Sequence, residues 1–172
     1  GQDLSDRIFV VSLLGQVMRS GISPSRIEFE ITETAVMSDL ATSTTLLAAL
    51  RGSGCKVALD DFGSGYSSFE YLDQLPLDKV KIDRSFVRKV PHSATSREIV
   101  AGIISLCRKL DLRCVLEGVE TEDEMAILSV LEPDLIQGYL YGRPMPGEQV
   151  LDLINTQDNR AGASGNECIQ PA

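Results

Sequence analysis

The chain has 172 residues, 43% of them hydrophobic, and a formal net charge of −9. That length suits one domain with a sizeable core but is short of the roughly 250 residues of a complete eight-stranded α/β barrel. No apolar run approaches the roughly 20 residues of a membrane span, no signal peptide is visible, and the acidic balance disfavours polymeric nucleic acid or an anionic membrane as a direct partner.

Ile8, Phe9, Val11, Leu13, Leu14, Val17 and Met18 fall at helical spacing, with Gly21 as a stop. In "RIEFEIT", residues 26–32, Ile27, Phe29 and Ile31 alternate with polar residues and predict a strand. A helix is expected from Ser38 to Leu50, then strands over 56–61, 79–83, 113–118 and 134–140, with helices over 96–110, 121–131 and 146–154. This β-α rhythm implies parallel strands joined by right-handed crossovers. The first 154 residues read as one domain, and the polar, aperiodic residues 155–172 as a linker or disordered tail. Gly1 is not an initiator methionine and the chain opens directly into a helical pattern, which suggests that an upstream part of a larger protein is missing.

Cys55, Cys107, Cys114 and Cys168 show no C-x-x-C spacing and three of them lie in apolar runs. Reduced thiols in a cytoplasmic protein fit better than a disulfide framework.

Each expected strand ends in charged or amide residues: Glu30 and Glu33, Asp60 and Asp61, Lys81 and Asp83, Glu117 and Glu120, and Gln137. Parallel strands direct their carboxyl ends to one face, where ligands bind. Taken singly, Glu117 with Glu120 reads as a solvated helix start and Lys81 as a surface charge. Asp60 and Asp61 differ, because the apolar run Val57, Ala58, Leu59 precedes them and a Gly-rich turn follows. Neighbouring carboxylates resist burial unless a cation sits between them.

Hard oxygen donors without a cysteine or histidine cluster select Mg²⁺ or Mn²⁺ over zinc. The lone histidine, His92, sits in a polar loop and leaves a serine triad without a base. Carboxylates around one lysine suit two divalent ions that clamp a phosphodiester, with Lys81 neutralising developing charge or holding the attacking water.

In order, "EITET", "LDDFGSGYSSFEYL", "KIDRSFV", "EGVET" and "QGYLYGRPMP" resemble the EAL domain family of bacterial cyclic di-GMP phosphodiesterases over residues 1 to 154. The resemblance implies a modified (β/α)₈ barrel of TIM type, present here in part with its first strands missing. It implies hydrolysis of cyclic di-GMP to linear pGpG with two Mg²⁺ or Mn²⁺ ions. By resemblance, Glu30 and Asp60 ligate one metal and Asp60 with Asp61 serves the second, with Glu120 nearby. Lys81 matches the lysine that contacts the nucleophilic water, and Glu117 a general base or metal-shell residue. Glu33 matches the anchor of the "DDFGSGYSS" loop, a segment linked in the family to metal binding and dimerisation. Ser64 replaces the usual threonine and keeps its hydroxyl; Gln137 lines the pocket, and Asp83 and Pro144 are candidate substrate-binding or loop-positioning residues. The glutamate of E-A-L and the asparagine of N-x-S, both family metal ligands, do not occur in the 172 residues.

The leading expectation is therefore a cyclic di-GMP phosphodiesterase domain, present as a fragment inactive alone. In the full-length protein, GGDEF or sensory domains would lie upstream, a homodimer is a candidate assembly, and the location is cytoplasmic, within a protein that could itself be membrane-anchored. The alternatives are a non-catalytic cyclic di-GMP receptor or dimerisation module, and a Mg²⁺-dependent barrel enzyme acting on another phosphorylated or enolisable substrate.

Overall fold

The computed structural model describes residues 7–63 and 71–154. Two units are distinguished, Gly1–Tyr141 and Gly142–Ala172. The first holds, in order, α1 (Arg7–Arg19), β1 (Glu28–Thr32), α2 (Glu33–Ser38), α3 (Leu40–Gly52), β2 (Lys56–Phe62), β3 (Lys79–Ile82), α4 (Arg84–Val87), α5 (Ala94–Lys109), β4 (Arg113–Glu117), α6 (Glu122–Ser129) and β5 (Leu135–Gln137). Of the second unit, residues 147–154 are helical, and Gln149 and Val150 donate backbone N–H groups to Pro146 O at the start of that helix.

The five strands form one sheet in the order β1-β2-β3-β4-β5, every neighbouring pair parallel. Strand period two sorts the residues onto two faces. Val57, Leu59, Val80, Ile82, Cys114 and Leu116 share one face and are all fully buried. They form a single core with Leu46, Leu47 and Leu50 of α3 and Val100, Ile103, Ile104 and Cys107 of α5. Alternate positions carry Glu28 and Glu30, Asp60, Lys79 and Lys81, Arg113 and Glu117. The apolar face thus belongs to the helices, and the other face carries these charges around the buried side chains of Ala58 and Val115. This α/β architecture with a parallel sheet is the one the alternation predicts.

Local chemistry sets the element ends. Asp39 caps α3 by accepting from Thr42 N at 3.0 Å, and Ser93 caps α5 by accepting from Ser96 N at 3.1 Å. Thr121 and Glu124 form a reciprocal capping box at the start of α6. The segment expected as one helix from Ser38 follows a separate short helix, α2, because Asp39 leaves helical geometry to cap α3. The strand expected over 134–140 stops at Gln137, where the Leu140 N–H turns back to Val119 O. Cys55, Cys107 and Cys114 are free and buried, and His92 is exposed.

Candidate metal and phosphate site

Lys81 is the centre of the charged face. Its side chain is only 6% exposed, and Nζ lies 2.8 Å from Glu30 Oε1, 3.2 Å from Asp60 Oδ1 and 2.8 Å from Glu117 Oε1. Strands β1, β2 and β4 therefore deliver one carboxylate each to the single ammonium on β3. Burial opposes the charge on Lys81, but hydrogen bonds to Glu117 and Glu30 outweigh it and hold the group protonated.

The aspartate pair is placed by an irregularity in β2. Leu59 pairs with Val80 and Phe62 with Ile82, so β2 carries an extra residue relative to β3. Asp61 takes a left-handed φ of 55°, the conformation a bulge residue adopts. In a regular strand consecutive side chains point to opposite faces. With the bulge, oxygens of Asp60, Asp61 and Glu117 lie within 4.8 Å of one another. Burial raises the Asp61 carboxyl above the ordinary range, reinforced by the negative charges of Asp60 and Asp83. Burial also raises Glu117, against the pull of Lys81.

Whether these residues suit a cation is answered by Asp60. Its Oδ1 is buried and makes no hydrogen bond, although the Lys81 ammonium is within ion-pair range. An unsatisfied buried carboxylate oxygen is costly. It lies in an all-oxygen group with Asp61 and Glu117, which matches a hard divalent cation. Glu30 faces Lys81 rather than this group, with a side chain 46% exposed.

A cavity of about 370 Å³ adjoins the group, lined by Asp61, Asp83, Arg84, Glu117, Glu120 and Gln137 among others. Gln137 and Asp83 thus reach the same place as the carboxylates. Asp83 also caps α4 by accepting from Ser85 N at 2.9 Å. Glu120 accepts from the Arg88 guanidinium at 2.6 Å, a pairing with no signal in sequence spacing. Glu33 stands apart from the cavity: it is 5% exposed and accepts from Gly63 N and the Tyr71 hydroxyl. Tyr71 is a second residue to which sequence reading gave no role, because a tyrosine beside Leu72 reads as core. Ser64 lies outside the described residues. Pro144 belongs to the second unit and is exposed.

Glycines complete the frame. A Cβ on Gly63 would meet the Phe86 ring at 2.7 Å, and one on Gly138 would meet Val119 O at 2.0 Å. The backbone beside the aspartates and the turn after Gln137 are therefore packed too closely for any side chain.

A parallel α/β sheet with carboxylates around one lysine at its strand ends defines the class, and comparison with known proteins defines the family. The EAL domain model matches residues 1–144, and the chain belongs to the EAL domain family. It is 42% identical over 145 residues to the bifunctional diguanylate cyclase/cyclic di-GMP phosphodiesterase MucR of Pseudomonas aeruginosa, covering 84% of this chain and 21% of MucR. It is 37% identical to the cyclic di-GMP phosphodiesterase RocR of the same organism, covering 88% of this chain and 39% of RocR. The chain therefore spans well under half the length of these relatives. Among solved structures it is similar to Klebsiella pneumoniae BlrP1 in a manganese/cyclic di-GMP complex, with 37% identity and a TM-score of 0.75 over 81% of this chain and 36% of that one.

Proposed function

We propose that this chain is part of a metal-dependent phosphodiesterase domain that hydrolyses cyclic di-GMP to linear pGpG. The observation that carries the reading is the cage of Glu30, Asp60 and Glu117 around Lys81 beside the Asp60-Asp61-Glu117 group. Support also comes from relatives named as cyclic di-GMP phosphodiesterases and from a manganese complex of one EAL structure.

Asp60, Asp61 and Glu117 would hold one divalent cation; the second ion that the family resemblance implies would need Glu30 and Glu120 to turn from the Lys81 and Arg88 partners they have here. Such a cation, when bound, supplies Lewis acidity to phosphoryl oxygens and makes water more acidic. Lys81 keeps its proton and presents a fixed positive charge to the oxygens on which negative charge develops. Glu117, hydrogen-bonded to Lys81, is the acceptor for the proton of the attacking water. Water adds to phosphorus, passing its proton to Glu117, as one P–O3′ bond breaks; the O3′ oxygen takes a proton from solvent and leaves as a ribose hydroxyl, and the ring opens to a linear dinucleotide. Gln137, Asp83, Ser64 and Pro144 are read as substrate-binding or loop-positioning residues, and Glu33 as the loop anchor.

Because the E-A-L glutamate and N-x-S asparagine do not occur in the 172 residues, the chain by itself is read as inactive. The experiment compares it with the longer protein that contains it, with Mn²⁺ present, by chromatography of the nucleotide products. Expected is pGpG from the longer protein, loss of turnover by orders of magnitude in Asp60→Asn and Asp61→Asn, and none from the 172 residues alone. Full activity in Asp61→Asn overturns the metal assignment. Binding of cyclic di-GMP without turnover in the longer protein favours the receptor reading.

A further inference from the structure

A second cavity, of about 720 Å³, lies at the opposite ends of the same strands. Lys56, Lys79 and Arg113 line it and are each the first residue of β2, β3 and β4. Arg26 and Arg51 add two more cations, against the carboxylates of Glu28, Asp78 and Asp111. Five cations and three carboxylates leave this cavity at +2 in a chain whose net charge is −9.

The pairing inside it is incomplete. Lys79 is matched by Glu28 at 2.7 Å. Arg51 and Lys56 share one carboxylate, Asp78, at 3.2 and 3.1 Å. Arg26 and Arg113 have no ion-pair partner among the described residues. Lys79 and Arg113 are also direct partners across the parallel β3-β4 pair, and Glu28 answers only the Lys79 charge. Arg26 and Arg113 are both exposed, and as solvated cations they need no ligand. They nevertheless line one concave site with surplus positive charge, and their forked donors match phosphate oxygens.

We propose that this amino-end cavity binds a phosphate dianion, free or terminal on a nucleotide, held chiefly by Arg113 and Arg26 with Lys79 beside them. It shares no lining residue with the carboxylate cavity. The two ends of one charged sheet face thus carry opposite specificities, cations at the carboxyl end and a phosphate anion at the amino end.

The test is calorimetric titration of the 172-residue chain with inorganic phosphate and, separately, with guanosine 5′-monophosphate, in chloride buffer containing EDTA so that no cation can hold phosphate at the carboxylate end. Saturable binding is expected, weakened about tenfold or more in Arg26→Gln/Arg113→Gln and partly kept in Arg113→Lys. The single Gln variants, checked by circular dichroism, serve if the double variant does not fold. Lys109→Gln, which removes an exposed cation outside the cavity, should bind as the parent chain does. Equal affinity for the two probes identifies free phosphate as sufficient; tighter binding of the nucleotide identifies a nucleotide-borne phosphate. No saturable binding, undiminished binding in the arginine variants, or an equal loss of binding in Lys109→Gln overturns the proposal. None of these outcomes depends on whether cyclic di-GMP is hydrolysed.

Discussion

The Tyr71 hydroxyl donates to Glu33 Oε1 at 2.5 Å, joining residues 38 apart in sequence. Glu33 Oε2 accepts from Gly63 N at 3.1 Å, so one buried carboxylate ties the start of α2 to the end of β2 and to Tyr71. Tyr71→Phe keeps the ring packing and removes a donor from a buried charge. The expected cost is about 1–3 kcal/mol in urea unfolding. A variant as stable as the parent would show that the hydrogen bond contributes nothing net.

Lys81→Met leaves Glu30, Asp60 and Glu117 without their shared cation. Removing one partner of a buried charge set costs about 3–5 kcal/mol, and the lower end is expected because Glu30 is half exposed. The sign of the pH dependence follows from Glu117, whose carboxyl is already raised above its ordinary 4.5 by burial and would rise further without Lys81. A carboxylate with a raised folded value lowers stability as pH climbs through that range. The gap between Lys81→Met and the parent should therefore narrow as pH falls toward 4.5. Thermal unfolding across pH checks it; a gap that widens in acid would contradict the cage.

Asp78 behaves in the opposite sense. Burial alone would raise it, but the Val57 N–H at 3.0 Å, the Lys56 ammonium and Arg51 hold it below its ordinary 3.8. Its contribution is complete above pH 3.8 and is lost as pH falls through the lower folded value. Asp78→Asn should cost about 1–2 kcal/mol at neutral pH, since both cationic partners are largely solvated. The difference should vanish in strong acid when unfolding midpoints are compared.

Gly138→Ala would drive a Cβ into the Val119 backbone, with O at 2.0 Å and N at 2.4 Å. Backbone cannot swing aside as a side chain can. The turn that carries Gln137 beside Glu117 has to shift, at an expected cost of about 1–3 kcal/mol or more. Mn²⁺ affinity measured by calorimetry should fall with it. Unchanged stability and affinity would mean that the turn is more adaptable than its packing implies.

Much of this protein was legible in the sequence. Alternation of Ile27, Phe29 and Ile31, the run from Val57 to Leu59 and the helical spacing around Ile103 and Ile104 report burial directly, because hydrophobic periodicity follows the backbone period. The polar strand ends Glu30, Asp60, Lys81, Glu117 and Gln137 were also visible, since parallel strands send their carboxyl ends to one side. Tertiary structure alone decided how Asp60 and Asp61 come to share a side, because that depends on the β2-β3 bulge and the left-handed Asp61, which no spacing rule encodes. It also decided that Glu30 faces Lys81, that Arg88 pairs with Glu120 and that Tyr71 holds Glu33, contacts made across elements far apart in the chain. Periodicity is a local property of the backbone, whereas a charge's partner is set by which strands and helices pack together.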